Sequence, residues 1–380
     1  MKIVYVVGGL LRPNGMSQVL SQKINWLAKH TDHELYMILT ERKGEPWYYE
    51  ISEKVRWVNF DLNFDELDTM PPLKKIYFYK KKQRRYRKLF TDYLMEVRPD
   101  ITVSACRREI NFLCDIKDGS RKIGEFHFNR DSYRKIDKRF FPRWLNETIS
   151  RRWIGSLIKQ LKRLDAFVVL SHEDRQAWVE MDDVKVIHNP VKLLPTEFSD
   201  TTAKRVIAVG SYNEVKGYDM LFDAWKKVCE RHPDWRLDVF GSGDNALYQQ
   251  LANDKVAKGA TCHPAEKDIY KQYRNSGIFV LTSRHEGFGL VIAEAMSCGL
   301  PAVSFACPCG PRDIITDGDD GILVECFDTD ALADAICRLI EHPDERKSMG
   351  EKAKISARRF SEDEILKQWT QLFDEVMTKR

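Results

Sequence analysis

The sequence predicts an α/β protein built from two doubly wound halves. Short apolar runs of strand length alternate with longer mixed segments, and most runs are followed by a glycine-bearing or polar turn. At 380 residues the chain is also longer than one core usually organises. In the first half the strand candidates are 3–7, 34–39, 55–59, 101–104, 122–126 and 166–170, with helical stretches between them. A further apolar run at 184–187 leads into His188-Asn189-Pro190-Val191 and a polar, proline-bearing linker that ends near Ala203. A second series follows at 205–209, 236–240, 261–263, 278–281, 302–304 and 321–324. The expected domains are therefore 1–195 and 196–361. A last helix is expected over 362–379, because Ile365, Trp369, Leu372, Phe373 and Val376 recur at helical spacing.

Composition narrows the class. Hydrophobic residues make up 43% of the chain, enough for compact folding throughout. The opening apolar run is too short for a signal peptide or a membrane span and reads as a buried first strand. Nine scattered cysteines fit reduced thiols, and a cytoplasmic protein is expected. The net charge is only +4, but positive residues concentrate in the first half. Lys74 to Lys88 holds nine Lys or Arg and no acid, interleaved with Ile76, Tyr77, Phe78, Tyr79 and Tyr86. Such a stretch suits an anionic membrane surface, here the inner face of the plasma membrane. Nucleic acid and a merely solvated helix face are the rival readings.

The segment 282–301 carries most of the chemistry: Thr-Ser-Arg-His-Glu-Gly-Phe-Gly-Leu-Val-Ile-Ala-Glu-Ala-Met-Ser-Cys-Gly-Leu-Pro. A strand before it and a helix from Leu290 to Ser297 put Gly287 and Gly289 at a strand-to-helix corner. The amides of Gly287, Phe288, Gly289 and Leu290 can then approach an anion such as a phosphate. Glu286 precedes the turn and Glu294 lies about one helical turn inside, so one ligand could meet the amides and both carboxylates.

Glu286 and Glu294, with Gly287, Gly289, Gly299 and Pro301 in register, resemble the donor-site signature of retaining glycosyltransferases of family GT4, group 1, of the bacterial polysaccharide-assembly type. The resemblance implies the GT-B fold, two Rossmann-like domains facing a cleft, with the C-terminal helix completing the first. It implies that Lys216, in Gly210-Ser211-Tyr212-Asn213-Glu214-Val215-Lys216-Gly217, holds the donor diphosphate; Ser211 stands where the family usually has a second cation, with Arg284 and Arg312 as possible substitutes. It further implies a nucleotide-base contact near Pro264 and a glycine loop containing Gly9 and Gly15 near the donor phosphate and acceptor. His127 would face the donor sugar. The spacing at Gly8 and Gly9 is not that of a dinucleotide-binding loop.

The resulting expectation is a glycosyltransferase that moves a hexose or N-acetylhexosamine, galactose or GalNAc among them, from a UDP-linked donor to a hydroxyl of a lipid-linked or growing cell-surface glycan in capsule or O-antigen assembly. Glu286 and His127 would serve the reacting centre and Glu294 the ribose. The acidic turn Asp317-Gly318-Asp319-Asp320 reads as a solvated hairpin, so no metal and no cofactor is expected. A sugar-nucleotide epimerase and a non-catalytic polyanion binder are the competing classes; nucleic acid is not an expected partner.

Overall fold

The computed structural model describes residues 1–10, 14–42, 44–131, 133, 143–193 and 197–378. The chain divides into two compact units, one of Met1–Val169, Arg175–Ile187 and Leu366–Arg380, the other of Leu170–Asp174 and His188–Ile365. The first division falls ahead of the expected joint near residue 195, and 194–196 lie outside the described residues. Its physical reason lies in Val191 and Ser199: Val191 bridges Ser361, and the Ser199 hydroxyl donates to the Ser276 carbonyl, so both residues already belong to the second unit's fabric.

In chain order the first unit's elements are β1 (Lys2–Val6), α1 (Gly15–His30), β2 (Glu34–Leu39), β3 (Arg56–Asn59), α2 (Pro72–Val97), β4 (Ile101–Ser104), β5 (Arg121–Phe126), α3 (Arg143–Leu161), β6 (Ala166–Val169), α4 (His172–Ala177), whose last residues belong here, and β7 (Val184–Val186). The strands form one parallel sheet in the order β3-β2-β1-β4-β5-β6-β7. Helices cover both faces of such a sheet, which is why β1, β2 and β4 are buried along almost their whole length rather than on alternate residues. Asn14 caps α1 by accepting the Ser17 N–H at 2.9 Å. Along α2, Tyr86, Phe90 and Leu94 recur every four residues and are buried, so Tyr86 belongs to the core rather than to the exposed basic face.

The second unit contains β8 (Arg205–Val209), α5 (Tyr218–Arg231), β9 (Arg236–Gly241), α6 (Asn245–Asp254), β10 (Ala260–Pro264), α7 (Ile269–Arg274), β11 (Ile278–Leu281), α8 (Leu290–Ser297), β12 (Ala302–Phe305), α9 (Pro311–Ile314), β13 (Gly321–Val324), α10 (Thr329–Glu341) and α11 (Pro343–Ser356). The last helix, α12 (Glu362–Thr378), starts in the second unit and passes into the first at Leu366. The second sheet is parallel, in the order β10-β9-β8-β11-β12-β13.

Each sheet reverses its winding direction once near the middle, between β1 and β4 in the first unit and between β8 and β11 in the second. At such a switch point the loops leaving the two neighbouring strands part in opposite directions and open a crevice at the carboxyl ends. The residues after β8 and β11, and those after β1 and β4, are therefore where ligands are expected.

Candidate active site

In the second unit the switch point brings together the two segments that the sequence singles out. Lys216 ends a 3-10 turn, Glu214–Lys216, after β8, while Glu286 follows β11. The Lys216 Nζ donates to Glu286 Oε1 at 2.7 Å, and the Ser283 hydroxyl donates to the same oxygen at 2.6 Å. Both side chains of the ion pair are largely covered, at 20% and 10% exposure, which favours a fixed geometry over a solvated surface pair. The backbone holds the pair from two directions. The Glu286 N–H donates to the Pro308 carbonyl at 3.0 Å, and the Thr282 hydroxyl donates to the Lys216 carbonyl at 3.0 Å. Gly217 makes this approach possible. It sits at φ +64°, and a Cβ there would lie 2.1 Å from the Thr282 carbonyl oxygen.

Gly289, at φ +87°, turns the chain into α8, and Leu290 begins the helix. Phe288 is buried, its ring stacked on His188 with centroids 5.4 Å apart. The loop 287–290 thus rests on an apolar wedge that fixes where its amides point. Glu294, one turn into α8, is buried and accepts a hydrogen bond from the Tyr273 hydroxyl at 3.2 Å. Burial, then the Glu294 charge, pushes the Tyr273 phenol well above its ordinary range, so it stays a donor.

The other expected donor-side residues take lesser roles in the geometry. Ser211 shares a hydroxyl contact with Ser242 at 3.1 Å, and Pro264 closes β10 next to His263, which stacks on Phe240 and reaches Asp238 at 2.7 Å. Of the two arginines that could replace the missing cation, Arg284 is held in a fork by Asp219 at 3.0 and 2.8 Å. Arg312 is half-exposed and lies 3.5 Å from Glu173.

In the first unit, Gly9 accepts the Ser17 hydroxyl at 3.0 Å and Gly15 opens α1. His127 follows β5, its side chain almost fully covered, with Nε2 3.3 Å from Glu125 Oε1. Behind it lies a group that sequence reasoning missed. Lys23 of α1, fully buried, pairs with the same Glu125 oxygen at 2.5 Å and sits 3.5 Å over the Trp369 ring of α12. Burial pulls the Lys23 ammonium down to about 8 against the opposing pull of Glu125. Burial acts to raise Glu125, but the Lys23 charge and then His127 more than offset it and bring the carboxyl down to about 2. No local signal marks Lys23, which stands in an ordinary amphipathic helix and meets Glu125 from 102 positions away.

Among the described residues, one group of side chains could offer a metal three ligands: His172, His188 and Asp313, whose ligand atoms lie within 4.8 Å of one another. Asp313 accepts the backbone N–H of His172, and His188 Nδ1 is 2.8 Å from the Leu170 carbonyl.

The family model for glycosyl transferases group 1 matches residues 194–356, the segment that holds Lys216, Glu286 and Glu294. An exopolysaccharide phosphotransferase of Streptomyces coelicolor is 32% identical over 59% of this chain and 25% of its own length. The amylovoran biosynthesis glycosyltransferase AmsD of Erwinia amylovora is 28% identical over 54% of this chain and 61% of its own length. The matches thus span a quarter to about three fifths of these relatives. The crystal structure of TarM from S. aureus, in complex with fondaparinux, α-GlcNAc-glycerol and UDP, shares the fold over 98% of this chain and 99% of its own, with TM-score 0.76 and 16% identity.

Proposed function

Residues 194–356 form a glycosyl transferases group 1 domain within a GT-B fold, and from that premise we propose that the chain is a retaining glycosyltransferase. It moves a hexose or N-acetylhexosamine from a UDP-linked donor, galactose or GalNAc among the candidates, to a hydroxyl of a growing or lipid-linked cell-surface glycan. The observation that carries this reading is the Lys216–Glu286 pair, fixed beside the glycine corner that opens α8.

As the sugar–phosphate bond breaks, negative charge grows on the departing diphosphate. Lys216 and the amides from Gly287 to Leu290 supply positive potential that is already oriented, which is where such potential lowers a barrier most. Arg312, the more loosely paired of the two candidate arginines, adds the second cation that Ser211 cannot. Glu286 orients sugar hydroxyls and balances charge at the anomeric carbon, and Glu294, steadied by Tyr273, takes the ribose hydroxyls. The UDP in the TarM crystal supports a uridine donor, and the exopolysaccharide and amylovoran relatives support a cell-surface glycan. Metal is not required in this scheme.

The acceptor is reached at a membrane surface. α2 exposes Leu73, Ile76 and Tyr77 beside Lys74, Lys80, Lys81, Arg84 and Arg85, and these five cations make no ion pair among the described residues. No described helix is long and apolar enough to cross a membrane. The decisive test is a thermal-shift screen of UDP-, GDP- and ADP-sugars followed by a transfer assay with the best binder. UDP-sugars raising the melting temperature and yielding product are the expected outcome; stabilisation by none of them overturns the reading.

A further inference from the structure

A cavity of about 330 Å³ opens in the first unit at its own switch point, between the loops that leave β1 and β4. Its lining includes Gly8, Gly9 and Ser17, the carboxylates Glu41 and Asp65, and Arg107 and Arg108. A second concavity of about 340 Å³ shares both arginines and adds Tyr79, Phe128 and Tyr133.

The loop that carries the two arginines is fixed by its own backbone and hydroxyl contacts. Cys106, fully buried, adopts φ +53°, a left-handed conformation that a non-glycine residue holds only when its surroundings impose it. Its N–H donates to the Ser104 hydroxyl at 3.0 Å, that hydroxyl donates to Glu109 at 2.6 Å, and the Arg107 N–H donates to the same Glu109 oxygen at 3.0 Å. The one buried carboxylate of this loop is thus engaged by the backbone and a hydroxyl, not by a guanidinium.

The three arginines at the rim differ in what neutralises them. Arg42 is forked onto Asp65 at 3.2 and 3.0 Å. Arg108 stacks on Phe64 at 4.4 Å and stands 3.9 Å from Glu41, beyond hydrogen-bonding range. Arg107 lies 5.2 Å from the Phe128 ring centre and has no carboxylate partner among the described residues. Glu41, which lines the same cavity, has its Oε2 buried without a hydrogen-bond partner among the described residues. Burial raises the Glu41 carboxyl, with Arg108 opposing and Asp65 adding to the rise, and its uncommitted oxygen is an acceptor for a hydroxyl.

We propose that this cavity seats the acceptor's terminal unit and that the unit is a polyol or sugar bearing an oxyanion, with Arg107, assisted by Arg108, on the anion and Glu41 on a hydroxyl. The proposal deepens the glycosyltransferase reading by naming the acceptor's class, and it rests on that reading for the reaction alone. A guanidinium fork matches phosphate and carboxylate alike, and the flanking aromatics suit the apolar face of a sugar ring.

Two experiments separate the site from the reaction. In the first, direct binding to the full chain at low salt is measured by calorimetry with two pairs of probes, glycerol 3-phosphate against glycerol and glucuronate against glucose. The expected result is about tenfold tighter binding of at least one anion than of its neutral partner, the size of one charge-assisted contact. Which anion wins identifies a phosphate-bearing or a uronate-bearing acceptor. Arg107→Gln should erase the preference and Arg107→Lys should keep part of it, with melting temperature recorded for each variant to establish folding. Equal binding of anionic and neutral probes by the native chain, or a folded Arg107→Gln that keeps the preference, overturns the proposal. In the second experiment, transfer from a UDP-sugar to the same four compounds is followed by product mass. Anion binding that depends on Arg107 without any transfer would sink the glycosyltransferase reading and leave the site standing.

Discussion

Glu286 and Lys216 neutralise one another at 2.7 Å, and this single contact sets what their substitution does. Glu286→Ala frees the Lys216 ammonium and, under the proposed function, also removes the group assigned to the sugar. Turnover should fall by about a hundredfold or more, the scale of losing one oriented charge at a reacting centre, while UDP affinity changes little or tightens. Turnover equal to wild type in a steady-state assay would remove Glu286 from the reaction. Glu294→Ala acts on binding instead, because its carboxylate sits one turn inside α8 beneath Tyr273. About tenfold weaker UDP binding by calorimetry is expected, the worth of one or two hydrogen bonds to a charged group. Both glutamates were legible in the sequence from the glycine-flanked spacing. Tyr273 and Ser283 were not, since their roles depend on where α7 and the end of β11 come to lie.

At the scale of elements, the turn at 213–217 and helix α2 carry the consequences. Gly217 is the N-cap of α5 and lies against the Thr282 carbonyl, so Gly217→Ala meets both a left-handed backbone and a clash. A loss of about 2 kcal/mol or more is expected in urea unfolding, together with a loss of UDP binding as Lys216 is displaced. Helix α2 separates two kinds of cation. Lys82 is tied to the Leu62 and Asn63 carbonyls and to Glu66, and it belongs to the fold. Replacing Lys74, Lys80, Lys81, Arg84 and Arg85 by glutamine while leaving Lys82 intact should weaken sedimentation with anionic liposomes at low salt, by about 1 kcal/mol per charge. Unchanged binding would place membrane attachment elsewhere. The basic run was visible in the sequence; which of its cations are internal was not, because that depends on the loop 62–66 folding beneath the helix.

In the molecule as a whole, long-range burial decides stability. Lys23 and Glu125, 102 positions apart, form an ion pair within the first unit that neither could occupy alone. Glu125→Gln leaves an ammonium buried and unpaired, and a cost of about 3–5 kcal/mol at neutral pH is expected in urea unfolding. Adding Lys23→Met should recover a large part of it, and two simply additive losses would show that the pair is not coupled. The pH dependence has a definite sign. The folded carboxyl sits at about 2, below its ordinary 4.5, so its contribution is complete above about 4.5 and is lost as pH falls toward 2. The acid limb of the stability profile should therefore be shallower in Glu125→Gln than in the native chain.

The alternation of strands and helices, the glycine corner and the spacing of Glu286 and Glu294 around it are readable from residue order alone, because each is written in local pattern: apolar periodicity, a glycine where the chain must turn, a fixed spacing into one helix. Lys216 came forward through the family resemblance and not through a local pattern of its own. Winding the sheets is what joins Glu286 to Lys216, engages Arg284 with Asp219, sets Lys23 against Glu125 and leaves Arg107 with no carboxylate partner among the described residues. Those outcomes depend on which charges meet once the sheets are wound, and neither the winding nor the desolvation that gives such meetings their strength is encoded in any short stretch of residues.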